Sequence, residues 1–121
     1  MEGYKKEKLE EKMPDEVLEF IKGLSRATDE ELPLRYDDGT FEVDTDSFTL
    51  TFTIEDDVFE VRLIDIRDNT GLGSQIVSSI HEYADENNLD VIASNVRDTA
   101  IGFWEKMGYI EDANDVWFRP N

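Results

Sequence analysis

Between positions 48 and 54 the chain sets Phe48, Leu50, Phe52 and Ile54 against Thr49, Thr51 and Thr53. Successive side chains on an extended strand point to opposite faces, so this alternation specifies a β-strand with one dry side and one wet side. Glu55-Asp56-Asp57 is a tight turn, and 58–67 is the next strand. In that strand Phe59, Val61 and Leu63 hold one phase, while Ile64 and Ile66 hold the other. Two readings fit: a central strand buried on both faces, or a β-bulge near Leu63–Ile64 that shifts the phase. The bulge is preferred. Upstream, Phe41 and Val43 alternate with Glu42 and Asp44 and add a third strand. Short turns between these strands make the sheet antiparallel, and its dry face must be covered by helices.

The helices are legible on either side. Pro14 suits a first helical position and Asp15 and Glu16 a first turn. Val17, Leu18, Ile21 and Leu24 follow at helical spacing, and the stripe ends around Ser25 to Asp29. After the sheet, Leu72, Ile76, Val77, Ile80, Tyr83 and Ala84 fall on one side of a second helix, which Asn87-Asn88 stops. Asp90 to Ser94 is a short buried strand. Asp98 is placed to N-cap a third helix, with Ala100, Ile101, Phe103, Trp104 and Met107 apolar and Gly108 as its stop. Tyr109-Ile110 and Val116-Trp117-Phe118 close the chain as a hairpin around Asp112 to Asp115. Residues 1–13 alternate Lys with Glu and read as a frayed arm or a short solvated helix. The order is helix, three antiparallel strands, helix, strand, helix, two strands. That is an α+β fold, a mixed and mostly antiparallel sheet with one β-α-β crossover, in a single domain over 1–121.

Charge and composition narrow the function. The formal net charge is −18 and no cysteine is present. Clustered cations are what a phosphate backbone or an anionic bilayer requires, so nucleic acid and membrane are not expected as partners. Disulfides, thiolate metal sites and a cysteine nucleophile are excluded. His81 is the only histidine, which argues against a histidine-based metal site or a Ser-His-Asp triad; no metal is expected, and His81 itself is expected to be solvated. The opening MEGYKKEKLEEKM is charged and carries no apolar core, so a cytoplasmic protein without a secretory signal is expected. The acid is spread along the chain while Trp, Phe, Ile and Val recur at regular spacing. This is the pattern of a folded protein in a salt-rich cytosol, and a halophilic source is inferred.

One loop carries chemistry. Ile66 to Ser74, IRDNTGLGS, joins a strand to a helix. Glycines at 71 and 73 let backbone N–H groups turn toward a ligand, and a helix N-terminus adds unsatisfied donors and partial positive charge. An anion is favoured there. A Walker A loop needs Gly-Lys-Ser/Thr where this chain has Gly73-Ser74-Gln75. A Rossmann fingerprint needs a third glycine where Ile76 stands, and parallel units where these strands are antiparallel.

Joined to ASNVRDTAIGFWEKMGY, residues 93–109, the loop resembles motifs A and B of the GNAT superfamily of acetyl-CoA-dependent N-acetyltransferases. Gly71-Leu72-Gly73-Ser74 is similar to that family's pyrophosphate loop. Phe103-Trp104-Glu105-Lys106-Met107-Gly108-Tyr109 is similar to its later helix ending, and one helix and one strand separate the two. The resemblance covers roughly 59–121; the N-terminal part agrees in element order and is shorter than usual. It implies two parallel strands, 59–67 and 90–95, that splay at their C-terminal ends to admit the pantetheine arm of acetyl-CoA. It also implies cofactor contacts from Ile64, Ile66, Arg67, Asp68, Asn69, Thr70, Gly71, Leu72, Gly73, Ser74, Asn95, Phe103 and Trp104. Asp65 is the candidate base, with Glu60 second. A small-molecule or protein amine is the implied substrate, and a homodimer is possible, with Trp117 in the core or at a dimer contact. Two positions depart from the family pattern. Asp68 stands where Gln or Arg is usual, and a carboxylate 4 Å from a phosphate costs on the order of 1 kcal/mol in water; Arg67 is placed to offset it. Trp104 stands where a tyrosine usually protonates the departing thiolate, and Tyr109 is the nearest replacement acid in the chain.

Overall fold

The structure, a computed structural model, describes residues 15–67, 71–112 and 115–120. Helix α1 spans Asp15–Thr28, with Val17, Phe20 and Leu24 buried and Ile21 packed beside them. Leu18, expected on this stripe, is 42% exposed. It sits about 100° round the helix from Val17, whereas Phe20 falls back into line with Leu24. Strands β1 (Leu34–Asp37), β2 (Thr40–Asp44), β3 (Phe48–Glu55) and β4 (Val58–Ile66) form an antiparallel meander. Helix α2 (Leu72–Glu86) crosses over to β5 (Asp90–Ala93), which pairs parallel to β4. A 3-10 turn (Asp98–Ala100) leads into α3 (Ile101–Lys106), and β6 (Ile110–Asp112) and β7 (Val116–Phe118) finish the sheet. Strand order is β1-β2-β3-β4-β5-β7-β6.

β1 and the Asp98 cap also differ from the sequence expectation. Strand β1 was not anticipated, although its signal is present. Leu34 and Tyr36 alternate with Arg35 and Asp37 ahead of Asp38-Gly39, whose φ angles are +50° and +85°. Two consecutive positive φ values make the hairpin turn whose twist matches its strands. Asp98 opens the 3-10 turn and makes no side-chain cap; Gly108, at φ +88°, stops α3 as expected.

The buried strand residues share one face. Register places Phe41 opposite Phe52, Val43 opposite Leu50, Phe59 beside Val91 and Ala93 opposite Trp117. The rings of Phe41, Phe52 and Phe59 stack across β2, β3 and β4 at 5.2 and 4.8 Å, and Phe20 of α1 meets Phe52 edge-on at 5.4 Å. Each such ring removes roughly 1.5–3 kcal/mol of apolar surface cost from water. α1 and α2 pack on this face. Trp117 is core, at 5% exposure. No strand residue that points to the opposite face is buried, which keeps that side of the sheet open. No helix among the described residues is long and apolar enough to cross a membrane.

The phase shift in β4 is a bulge. Thr51 faces Leu63 and Phe52 faces Val61, so Arg62 is the extra residue, one position before the expected site. The insertion moves the dry phase from Phe59 and Val61 to Ile64 and Ile66, which then face Leu50 and Phe48.

Gly73 lies in the first turn of α2, under the ring of Phe103. A Cβ there would stand 3.0 Å from Phe103 Cε1 and 3.3 Å from Cζ. Gly73→Val is therefore expected to destabilise the fold by about 1–3 kcal/mol in urea denaturation, with part of the loss restored when Phe103→Ala is added.

Candidate functional site

The site begins where two strands stop pairing. Register between β4 and β5 runs from Val58 beside Asp90 to Val61 beside Ala93, and Ser94 N–H donates to Val61 O at 2.9 Å as the last rung. β4 continues to Ile66 without a neighbour on that side. Arg67 N–H donates to Ser47 O across β3. Backbone groups alternate sides along a strand, so the amides of Ile64 and Ile66 face the space that β5 vacates. The bulge at Arg62 sits at the divergence, where an extra residue bends a strand.

A cleft of about 110 Å³ fills this gap. Ile64 and Asp65 line it from β4, Ser94, Asn95 and Arg97 from the segment after β5, and Trp104 from α3. Asn95 ends β5 at φ +54°, a conformation that asparagine tolerates better than most residues. Phe103 is half-buried and covers Gly73, which joins α3 to the start of α2.

At the mouth, Gly71 holds φ +82° as N-cap of α2 and is exposed. Among the described residues no side chain caps that N-terminus, and no acidic residue lies in the helix's first turn. Leu72 and Gly73 are buried and Ser74 is half-buried. Asp68, Asn69 and Thr70 lie outside the described residues.

The acid–base candidates separate. Asp65 is exposed, lines the cleft and pairs with Arg67 at 3.0 Å. The guanidinium of Arg67 also bonds Asp44 at 3.2 Å, Thr49 Oγ1 at 3.0 Å and the backbone oxygens of Thr45 and Asp46. Among the described residues it is held by the β2–β3 turn. Glu60 accepts from Ser94 Oγ at 2.6 Å, bridging β4 and β5 at the base of the gap.

Tyr109 is not brought to the cleft. It is 4% exposed, its ring lies 4.7 Å from that of Trp104, and its hydroxyl is 2.7 Å from His81 Nε2. Burial raises its hydroxyl pKa above the ordinary value, which makes it a poorer acid. His81, expected in solvent, is half-buried and stacks on Tyr109 at 5.7 Å. A separation of 28 positions hid this pair from any local pattern. Beside it Arg119 bonds Asp85 through both guanidinium nitrogens, at 2.8 and 3.3 Å. Together these contacts fasten the end of the chain to α2.

Neither a protein-family model nor a curated protein matches the sequence. Solved structures do. The candidate N-acetyl transferase YhhK from E. coli, determined in solution bound to coenzyme A, superimposes with a TM-score of 0.55 at 15% identity, over 92% of this chain and 94% of that one. The fold is GNAT-like. The crystal structure of the anti-CRISPR protein AcrVA5 agrees, with a TM-score of 0.57 at 16% identity over 68% of this chain and 99% of that chain. Within the GNAT-like fold the diverging pair is β4 and β5, and the glycine-bearing turn opens α2 at its mouth.

The His81–Tyr109 contact has a pH signature. Burial, aided by the Arg119 charge and opposed by Asp85, lowers the His81 pKa from 6.5. Below about pH 6.5 the unfolded chain takes up a proton that the folded chain resists, so stability falls as pH drops through that window. Urea midpoints at about pH 7.5 and about pH 5.5 should therefore differ more for the wild type than for the His81→Phe/Tyr109→Phe pair.

Proposed function

We propose that this chain is an N-acetyltransferase that moves an acetyl group from acetyl-CoA to an amine. The observation that carries the reading is the end of β4–β5 pairing at Val61 and Ala93, which leaves the amides of Ile64 and Ile66 unpaired by β5 near a helix N-terminus that opens at Gly71. A thioester arm that carries amide groups is the ligand such an edge can pair with, in the manner of an added strand. The donors at Gly71 to Ser74 would hold its diphosphate, and Asp68, Asn69 and Thr70 are proposed as further cofactor contacts. Asn95, Phe103 and Trp104 would wall the arm.

In the reaction the amine nitrogen attacks the thioester carbon. A C–N bond forms, the C–S bond breaks and the thiolate leaves. A strand amide at the gap stabilises the oxygen on which charge develops. Asp65, the carboxylate that lines the cleft, accepts the amine proton, directly or through water. The thiolate takes its proton from solvent, because Trp104 offers only an indole N–H and Tyr109 is bonded to His81. That last feature also supports a second reading, a CoA-binding regulatory protein without turnover. A net charge of −18 opposes binding of an anionic cofactor, and the Arg67 guanidinium already bonds Asp65 and Asp44. The proposal therefore includes a salt-rich cytosol, where screening shortens to about 3 Å at 1 M salt.

Calorimetric titration with acetyl-CoA should show binding that tightens between about 0.2 M and about 2 M KCl. Asp65→Asn is expected to lower kcat by about 10²–10⁴ while leaving acetyl-CoA affinity in place. Absence of binding at any salt concentration contradicts both readings; binding with no turnover across an amine panel selects the second.

A further inference from the structure

The open face of the sheet holds a second hollow, of about 450 Å³, lined by the acidic residues Asp37, Asp38 and Glu42 and by Arg35, Thr51 and Arg62. Arg62 belongs to both cavities, since it also lines the cleft beyond Val61. Its place between them follows from its being the bulge residue. The hollow and the point where the strands part are thus adjacent, with a guanidinium at the join.

The cations of this acidic chain are unevenly used. Among the described residues away from the cleft, Arg67 is committed to Asp44, Asp65 and the β2–β3 turn, Arg119 to Asp85 and Arg35 to Glu42 at 3.5 Å. Arg26 and Lys106 occupy the last turns of α1 and α3, where a helix C-terminus favours positive charge. At the cleft this economy lapses. Among the described residues Arg62 has only Glu60 as an ionic partner, at 3.8 Å, beyond hydrogen-bond reach. The guanidinium of Arg97, on the opposite wall, makes no hydrogen bond or ion pair among the described residues, and the residue is exposed. A net charge of −18 already draws simple cationic amines toward the surface, and unspent arginines beside the reacting gap would oppose them. They suit an acceptor that brings its own negative charge, because a guanidinium grips a carboxylate through two parallel hydrogen bonds.

We propose that the acceptor is a small primary amine carrying a carboxylate a few bonds from its nitrogen, seated where the open-face hollow meets the cleft, with the carboxylate on Arg62 and Arg97, which both line the cleft. The assignment rests on the acetyl-transfer reading. Its location sends the amine to the thioester from the helix-free side of the sheet, past Asp65. Acetylation removes the ammonium charge and leaves the carboxylate, so the product is a net anion and is repelled by the acidic surface.

The test pairs amino carboxylates with their carboxamide counterparts, which differ only in that negative charge, and follows CoA release in high KCl with acetyl-CoA binding measured in parallel. The wild type should turn over the amino carboxylates at least about tenfold more efficiently. Arg62→Ala should raise their KM about 10–100-fold, Arg62→Lys should recover part of the loss, and acetyl-CoA affinity should stay unchanged in both. Arg97→Ala, on an exposed loop, supplies the same comparison should Arg62→Ala fold poorly. Equal turnover of the carboxamides overturns the proposal, as do arginine variants that weaken acetyl-CoA binding instead of raising the acceptor KM. Acetyl-CoA binding without turnover of any amino carboxylate removes the acceptor assignment alone, whereas failure of acetyl-CoA to bind removes the acetyl-transfer reading and the assignment together.

Discussion

The hydrogen bond from Ser94 N–H to Val61 O is the last rung between the two parallel strands, and the site depends on its being the last. A parallel pair that continued would satisfy the backbone of β4 on both sides and leave no polar edge for a ligand. Two local features accompany the divergence. Arg62 is an extra residue in β4, and Asn95 turns the chain out of β5 in a left-handed conformation. The β4–β3 ladder tolerates the bulge, because pairing resumes at once between Leu63 and Thr51 and the dry face is rebuilt by Ile64 and Ile66.

Support for the open gap comes from the helices. Phe103 seats α3 on Gly73 at the start of α2, and Trp104 closes the inner end of the cleft at 2% exposure. Gly73 is thus required by packing and Gly71 by its φ of +82°, two physical reasons for two glycines that a phosphate-loop pattern treats alike. Further along α2, His81 and Asp85 hold Tyr109 and Arg119. Through these contacts the helix that opens at the cleft also anchors the closing strands.

Much of the fold was legible because period-two and helical spacing encode it directly. The strands from Phe41 to Ile66, the helix from Leu72, the short strand at Val91 and the stop at Gly108 all follow from local pattern. The bulge could be expected, yet its position missed by one residue, since Arg62 breaks no hydrophobic pattern and only cross-strand register reveals it. β1 escaped because four residues with two partly buried apolar positions give little signal, and the Asp38-Gly39 turn was the better clue. Long-range pairs were invisible to spacing: His81 with Tyr109, and Arg67 with Asp44. The acid content also gains a structural reading. Every non-glycine residue with positive φ among those described is Asp or Asn, so some of the acid serves turns, where these residues best tolerate the left-handed conformation.

Hydrogen exchange at single amides tests the central claim most directly. The account predicts that the amides of Ile64 and Ile66 exchange quickly in the free protein, while Arg67, bonded to Ser47, exchanges slowly. Saturating acetyl-CoA should then slow Ile64 and Ile66 selectively. Protection of those two amides already in the free protein, or no change on saturation, would contradict it.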